Sequence, residues 1–507
     1  MNRIFLIFGS LIVSATSLTA QEQQASESKP YVLTLEDVIE IAKSQSPQAI
    51  QARHSFRASY FSFISYKATF LPKLTLTTQP TTWDKSITTV PSVNNDGDVT
   101  YKEARANTFT STAGLALSQN IGFTGGNISL GSDFQRRQSF LEKNSDVATQ
   151  FTTNPIRLSI IQPLNGYNRF RWEKQIEPLR YEEARQSYIV AMEQVAERAV
   201  NNFFSYATDQ VTLKMRQTNL ENQTALFEIA KGRYELGGIA EDALLQVELR
   251  LMQNQSSLNS ARISLESSKS QLRSFLGFRD DVEIEVLINP TIPSFIVDYE
   301  EAMNYAMTRN PDIISYNRQI LEAERLVAQA KSQTGITMDL NASFGTNKTG
   351  YTFNEAYSPT FGDREGVGLR ITIPILDWSQ TRNTYRNAQS SLEVAEARVQ
   401  QQETEFKQDV FLQVMNFNIQ EDQLRIAAKT DTIAQKGYEI AYQRYIMGKG
   451  NVTDLGIADT EKDNAIIGFM NALRSYWRLY YTVRRITLFD FLANKPIEED
   501  FDRLIGD

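Results

Sequence analysis

Hydrophobic and polar positions in this chain repeat with two different periods. No proline occurs between Pro178 and Pro290, or between Pro374 and Pro496. In the first stretch Ala184, Tyr188, Ala191, Val195, Ala199, Phe203 and Tyr206 recur at spacings of three and four, an apolar stripe that predicts a helix. Carried from Asn168 to Leu236, that helix would be roughly 100 Å long at about 1.5 Å per residue. A globular domain cannot enclose such a rod, so it must lie against other rods, as in a coiled coil or a helical barrel. Elsewhere the period is two. Leu74 and Leu76 alternate with Lys73, Thr75 and Thr77, and Ile156, Leu158 and Ile160 with Arg157 and Ser159. Met338, Leu340, Ala342 and Phe344 alternate with Asp339, Asn341 and Ser343, and Leu369, Ile371 and Ile373 with Arg370 and Thr372. A transmembrane barrel strand has this pattern, and so does a half-buried strand of a soluble sheet.

The two patterns occur twice. Ile156–Leu164 resembles Gly368–Ile375, and Pro163 and Pro374 lie 211 residues apart. Arg233-Tyr-Glu-Leu-Gly237 resembles Arg444-Tyr-Ile-Met-Gly448 at the same offset of 211. Upstream, Leu35–Pro47 resembles Tyr299–Pro311, with Pro47 and Pro311 offset by 264, so the first copy carries 53 extra residues before Ile156. This gives two copies, 31–290 and 291–495, and a short acidic tail, 496–507. Each copy reads as helix, strands, very long helix, tight turn and shorter helix. The extra residues include Leu115–Ile121 and Asn127–Phe134, a hairpin with its turn at Gly125-Gly126. That pair is expected to fold over or inside a barrel rather than widen it. The paired strands favour a barrel over a soluble sheet.

Residues 1–20 read as a signal peptide: Arg3, an apolar run from Ile4 to Val13, and Leu18-Thr19-Ala20 before Gln21. No later segment has 18 apolar residues in a row, so a return to a membrane would require a β-barrel. Apolar residues are 41% and charged residues 22%, which fits neither a disordered chain nor a helical membrane protein. The net charge of −8 argues against a nucleic-acid partner. The absence of cysteine excludes disulfides, thiolate metal sites and a lipid anchor on cysteine. His54 is the only histidine, so a multi-His zinc site is excluded; it reads as a solvated helix residue. No acid, base and nucleophile stand at motif spacing and no phosphate loop appears, so no enzyme and no cofactor are expected. Tyr167 and Trp378 occupy equivalent strand–helix junctions, with Trp172 close by, as a membrane-interface girdle would.

Together these features resemble the TolC family of outer-membrane efflux proteins over nearly the whole mature chain. The resemblance is carried by Ser-Gln-Ser-Pro47 and Thr-Arg-Asn-Pro311, Gln-Pro163-Leu and Ile-Pro374-Ile, Phe123-Thr-Gly-Gly126, and the two Arg-Tyr-x-x-Gly turns. It implies an α+β membrane protein, a homotrimer with a transmembrane β-barrel of four strands per chain. The barrel would continue into a periplasmic α-helical barrel of twelve helices. It further implies an outer-membrane exit duct for small molecules such as drugs and toxic compounds, or for proteins. A periplasmic membrane-fusion adaptor and an inner-membrane transporter of RND, ABC or MFS type are the implied partners. The adaptor would dock at the tip formed by Arg233, Tyr234, Gly237, Gly238, Arg444, Tyr445, Gly448 and Gly450. Aspartates past the second tip would narrow the entrance: Asp454 matches the first position, Ile457 stands at the second, and Ala243 lies opposite Asp454 in the first copy. The alternatives are a surface coiled-coil structural or adhesive protein, and a duct for type I protein secretion or metal efflux. Met303 and Met307, one helical turn apart, fit equatorial packing better than metal transfer.

Overall fold

The computed structural model describes residues 31–93, 97–141, 144–279 and 282–506; the predicted leader lies outside them. The first half runs β1 (Tyr31–Leu33), α1 (Leu35–Gln45), α2 (Pro47–Ala68), β2 (Lys73–Val93), β3 (Val99–Ile121), β4 (Gly126–Leu141), β5 (Asn144–Pro163), α3 (Arg169–Glu235) and α4 (Glu241–Leu276). The second half runs β6 (Ile284–Val286), α5 (Tyr299–Arg309), α6 (Pro311–Gln333), β7 (Thr337–Gly350), α7 (Phe353–Ala356), β8 (Gly362–Thr372), α8 (Gln380–Ile446) and α9 (Val452–Thr487). The chain ends with β9 (Phe489–Asp490), β10 (Lys495–Pro496) and α10 (Phe501–Gly506).

The helices form one layer. Helices α3 and α8 each have 67 residues, and each turns back into a partner of 36, α4 and α9. Short helices meet long ones at two capped breaks. The Ser46 hydroxyl accepts from Ala49 N–H with Pro47 at the first helical position, and Asn310 does the same for α6 with Pro311. Towards the tips the neighbour order is α4, α3, α9, α8; towards the sheet it is α2, α3, α6, α8.

The sheet is antiparallel, with the order β2, β3, β4, β5, β7, β8. It follows the helix order, because α2 leads into β2, β5 into α3, α6 into β7 and β8 into α8. Here the structure corrects the expectation for the extra hairpin. Strands β3 and β4 are full members of the sheet, paired to each other from Ala106/Leu141 to Ile121/Gly126 and flanked by β2 and β5. Among the described residues the sheet thus has six strands, where four barrel strands per chain are expected. An inserted hairpin placed over the sheet would have left its backbone groups needing other partners, whereas the ladder satisfies them on both sides.

The core lies where α1, α5 and the β1–β6 pair wrap α3 and α9. Phe203, Phe204, Leu473 and Tyr476 are fully buried there, with Met303 and Met307 packed against them. Within it Glu193 is 0% exposed. It accepts hydrogen bonds from Lys43 Nζ at 2.6 Å and Arg484 Nε at 2.8 Å. Arg484 also reaches Asp490 at 2.6 Å, and Asp490 accepts from the Tyr480 hydroxyl at 2.7 Å. Burial opposes the charge on Arg484, but Glu193 and Tyr480 outweigh it and raise its pKa. Glu193 and Asp490 thus face Lys43 and Arg484 around a buried carboxylate and tie α1, α3 and α9 to the C-terminal segment. Glu193→Gln keeps the shape but removes the partner of Lys43 and leaves Arg484 with Asp490 alone, at a cost of about 3 kcal/mol. Thermal unfolding in detergent should show a clear drop in melting temperature; an unchanged midpoint would mean that the cluster is not buried as described.

Candidate functional site

Both long helices end in the same way. At the first tip Gly238 N–H donates to Arg233 O at 2.7 Å and Gly237 N–H to Tyr234 O at 2.9 Å; at the second, Lys449 N–H donates to Arg444 O at 2.9 Å and Gly448 N–H to Tyr445 O at 3.0 Å. These are paired Schellman bonds, closed by a left-handed residue, and Gly237 and Gly448 have φ of 73° and 70°. Gly238 and Gly450 do not share the positive φ. Their missing Cβ instead lets the Arg233 carbonyl and the Tyr445 amide come close.

The two tips are locked together inside the chain by one of the two arginines. Arg233 donates to the carbonyls of Tyr445 at 3.3 Å and Ile446 at 2.6 Å, and its guanidinium lies over the Tyr445 ring at 5.6 Å. It thereby caps the Ile446 carbonyl and adds a side-chain donor to that of Tyr445, which already accepts from Gly448 N–H. Tyr445 is buried with Leu226 and Leu455. Arg444 and Tyr234, the equivalent residues of the other copy, are exposed. Asp454 and Ile457 lie one turn apart on an exposed face at the start of α9, where Asp454 N–H donates to the Asn451 side chain at 2.6 Å. His54 is exposed on α2.

Above the tips lies a polar cluster that sequence reasoning missed. Asp463 accepts from Arg216 at 2.5 Å and from Asn219 at 2.9 and 3.0 Å. Lys462 donates to Asn219 at 2.9 Å and Asp459 at 2.7 Å, and stands 4.0 Å from the centre of the Tyr438 ring. Burial, then Asp459, pushes the Tyr438 hydroxyl up to about 12. A signal existed: Gly456, Asp463 and Met470 share one buried stripe at spacings of seven, so a charge there had to find a partner. Gly456 has its own reason, because the Arg250 guanidinium from α4 lies where a Cβ would project.

In the sheet, one row of register partners runs Leu74, Leu117, Leu130, Leu158 and Phe344 across five strands. The adjoining row runs Lys73, Ser118, Ser129, Ser159, Ser343 and Gly366. Successive residues point to opposite faces, so along these rows one face is apolar from β2 to β7 and the other polar; on β8 Phe344 meets Glu365, and the apolar face continues lower down at Val367, Leu369 and Ile371. Below it, Trp378 is 85% exposed, with φ of 50°, beside exposed Ile375 and Leu376. Tyr167 and Trp172 are only half exposed, Tyr167 near Arg325 of α6. Their neighbour Phe170 is buried against Phe70, with ring centroids 5.5 Å apart. At the far rim Phe134, Phe151, Phe353 and Tyr357 form an aromatic cluster under α7.

A sheet apolar on one face, set on long helical hairpins, defines the fold class of the outer-membrane channels. The chain is similar to the Campylobacter jejuni CmeC outer membrane channel, with 16% identity and a TM-score of 0.65 over 98% of this chain and 97% of that one. It is similar to the outer-membrane channel OprN, with 17% identity and a TM-score of 0.62 over 89% of each chain. The outer membrane protein VceC of Vibrio cholerae gives 14% identity and a TM-score of 0.61 over 92% and 97%. No curated protein sequence matches the chain. Residues 302–485, within the second half of the chain, match the family described as outer membrane efflux protein.

Arg233→Ala removes the only described side-chain bridge onto the last carbonyls of α8. Amide hydrogen exchange should then speed up around 444–448 with the core unaffected; unchanged protection there would show that the tips hold together without it.

Proposed function

We propose that three copies of this chain close into an exit duct in the bacterial outer membrane, with the sheet in the lipid and the helices in the periplasm. The carrying observation is the pair of rows: a leucine row facing outward and a serine row facing inward suit lipid on one side and water on the other. The edges support ring closure. Along α8, which lies at one edge, Leu412, Ile419, Ile426, Ile433 and Ile440 are exposed at intervals of seven. Along α4, at the other edge, Leu245, Leu249 and Met252 are exposed. A seven-residue seam facing an apolar helix is coiled-coil complementarity between copies. The two halves, 31–290 and 291–495, serve as alternating staves of one tube. The surface coiled-coil alternative gives the one-sided sheet no role.

The duct would receive cargo, small molecules or proteins, from an inner-membrane transporter through a periplasmic adaptor bound at the hairpin tips. Gly448→Val would force a β-branched residue into the left-handed region at about 1–3 kcal/mol. It should impair export while trimers remain in the membrane; normal export at normal abundance would remove the tip from the docking surface. Three Asp454 side chains facing one another would form a negative ring at the entrance. Asp454→Ala should raise single-channel conductance in planar bilayers and weaken block by multivalent cations. Unchanged conductance and block would place the constriction elsewhere, and protein released from membranes by salt alone would overturn the duct.

A further inference from the structure

We propose that β3 and β4 belong to the membrane wall, and that β2 and β8 pair edge to edge between copies, so that three chains of six strands close an eighteen-stranded barrel. This rests on the duct reading and goes beyond the four strands per chain that the family resemblance implies. The first argument is register. The leucine row passes through Leu117 and Leu130, and the serine row through Ser118 and Ser129, without a break. A hairpin lodged inside the lumen would not continue the lipid-facing row.

The second argument is anchoring. The turn between β3 and β4 sits at the junction where α2 ends and α3 begins. Asn168, the N-cap of α3, donates to Gly122 O at 3.2 Å and Phe123 O at 2.9 Å, while Asn120 donates to Thr69 O at 2.9 Å. The inserted pair is thus fastened into the ring between two neighbouring helices.

The third argument is arc length, and it holds for any number of copies. Four helices in a row span about 32–40 Å at interaxial distances of about 8–10 Å. Six strands about 4.8 Å apart, tilted by about 40°, span about 38 Å, whereas four span only about 25 Å. Six strands therefore close at the radius of the helices beneath them. Strands β2 and β8 run in opposite directions, so their meeting is antiparallel like every other pair in the sheet. Every residue of β8 is exposed in the single chain, as an edge awaiting a partner would be. Such a barrel makes the exit as wide as the tube, and passage through the membrane imposes no narrower limit on cargo.

The chain has no cysteine, so single cysteines report cleanly. Leu117→Cys and Leu130→Cys, carrying a fluorophore in the trimer reconstituted in vesicles, should be quenched by nitroxide-bearing lipid as strongly as Leu158→Cys and Leu369→Cys. Ser118→Cys and Ser129→Cys should react with a water-soluble maleimide as Ser159→Cys does. Leu115→Cys and Ala116→Cys repeat the comparison one pleat higher, should a first-row variant fail to fold. Labels on β3 and β4 that see only water, while Leu158→Cys and Leu369→Cys are quenched, would overturn the eighteen-stranded wall and leave the duct standing. Loss of quenching at all four leucines would remove the duct itself.

Discussion

A sheet edge cannot be left open in hydrocarbon. Each unpaired N–H or C=O there costs several kcal/mol, because no water is present to replace the missing strand. On the proposed reading strands β2 and β8 are both such edges. Since β2 continues from α2 and β8 runs into α8, the edges of the sheet stand directly above the edges of the helix layer. Closing one therefore closes the other. On the proposed reading the chain is a segment of a ring from rim to tip, and its exposed apolar positions on α8 and α4 follow from that geometry rather than from a defect of folding.

Duplication supplies most of this segment, and its departures from symmetry are informative. The long helices have equal length, the return helices have equal length, and both turns use the same two backbone bonds. Yet only Arg233 is engaged, across 212 residues of sequence, on Tyr445 O. Hairpins that alternate around a ring have two kinds of neighbour, one in the same chain and one in the next. Arg233 serves the inner junction, and Arg444 with Tyr234 is left at the outer one. The polar cluster around Asp463 likewise lies within the chain, between α3 and α9 with Tyr438 of α8 against Lys462.

How far the sequence could be read depends on whether a feature is local. The stripe from Ala184 to Tyr206 and the long proline-free stretches specify rods without reference to anything distant. The same holds for Gly237 and Gly448, because a Schellman turn is satisfied within six residues. The alternation at Leu115 and Leu117 was equally legible, but its meaning was not. Period two says that a strand has two unlike faces, not which strand lies beside it, and only register with Leu74 and Leu130 puts the pair in the sheet. Tyr167 and Trp172 show the same limit: their junction position could be inferred, but their partial cover comes from surrounding structure. Arg250 against Gly456 was invisible, since a missing side chain carries no pattern until its neighbour is known.

On the proposed reading, a barrel as wide as the tube moves control of passage to the opposite end. The equatorial region is poorly suited to that task, because Glu193 is fully buried in its ion pair with Arg484, and breaking that pair would cost several kcal/mol. The tips are different. There Arg233 holds two carbonyls at the margin of a small cluster of Leu226, Tyr445 and Leu455, whose neighbours Tyr438, Ala441, Tyr442 and Val452 are only partly buried. Contacts with so little burial exchange more readily with water, so local opening is cheapest at this end. On that reading burial is concentrated at the equator and the cheapest opening lies at the tips, which is the distribution a duct needs if it is to stay embedded while it opens.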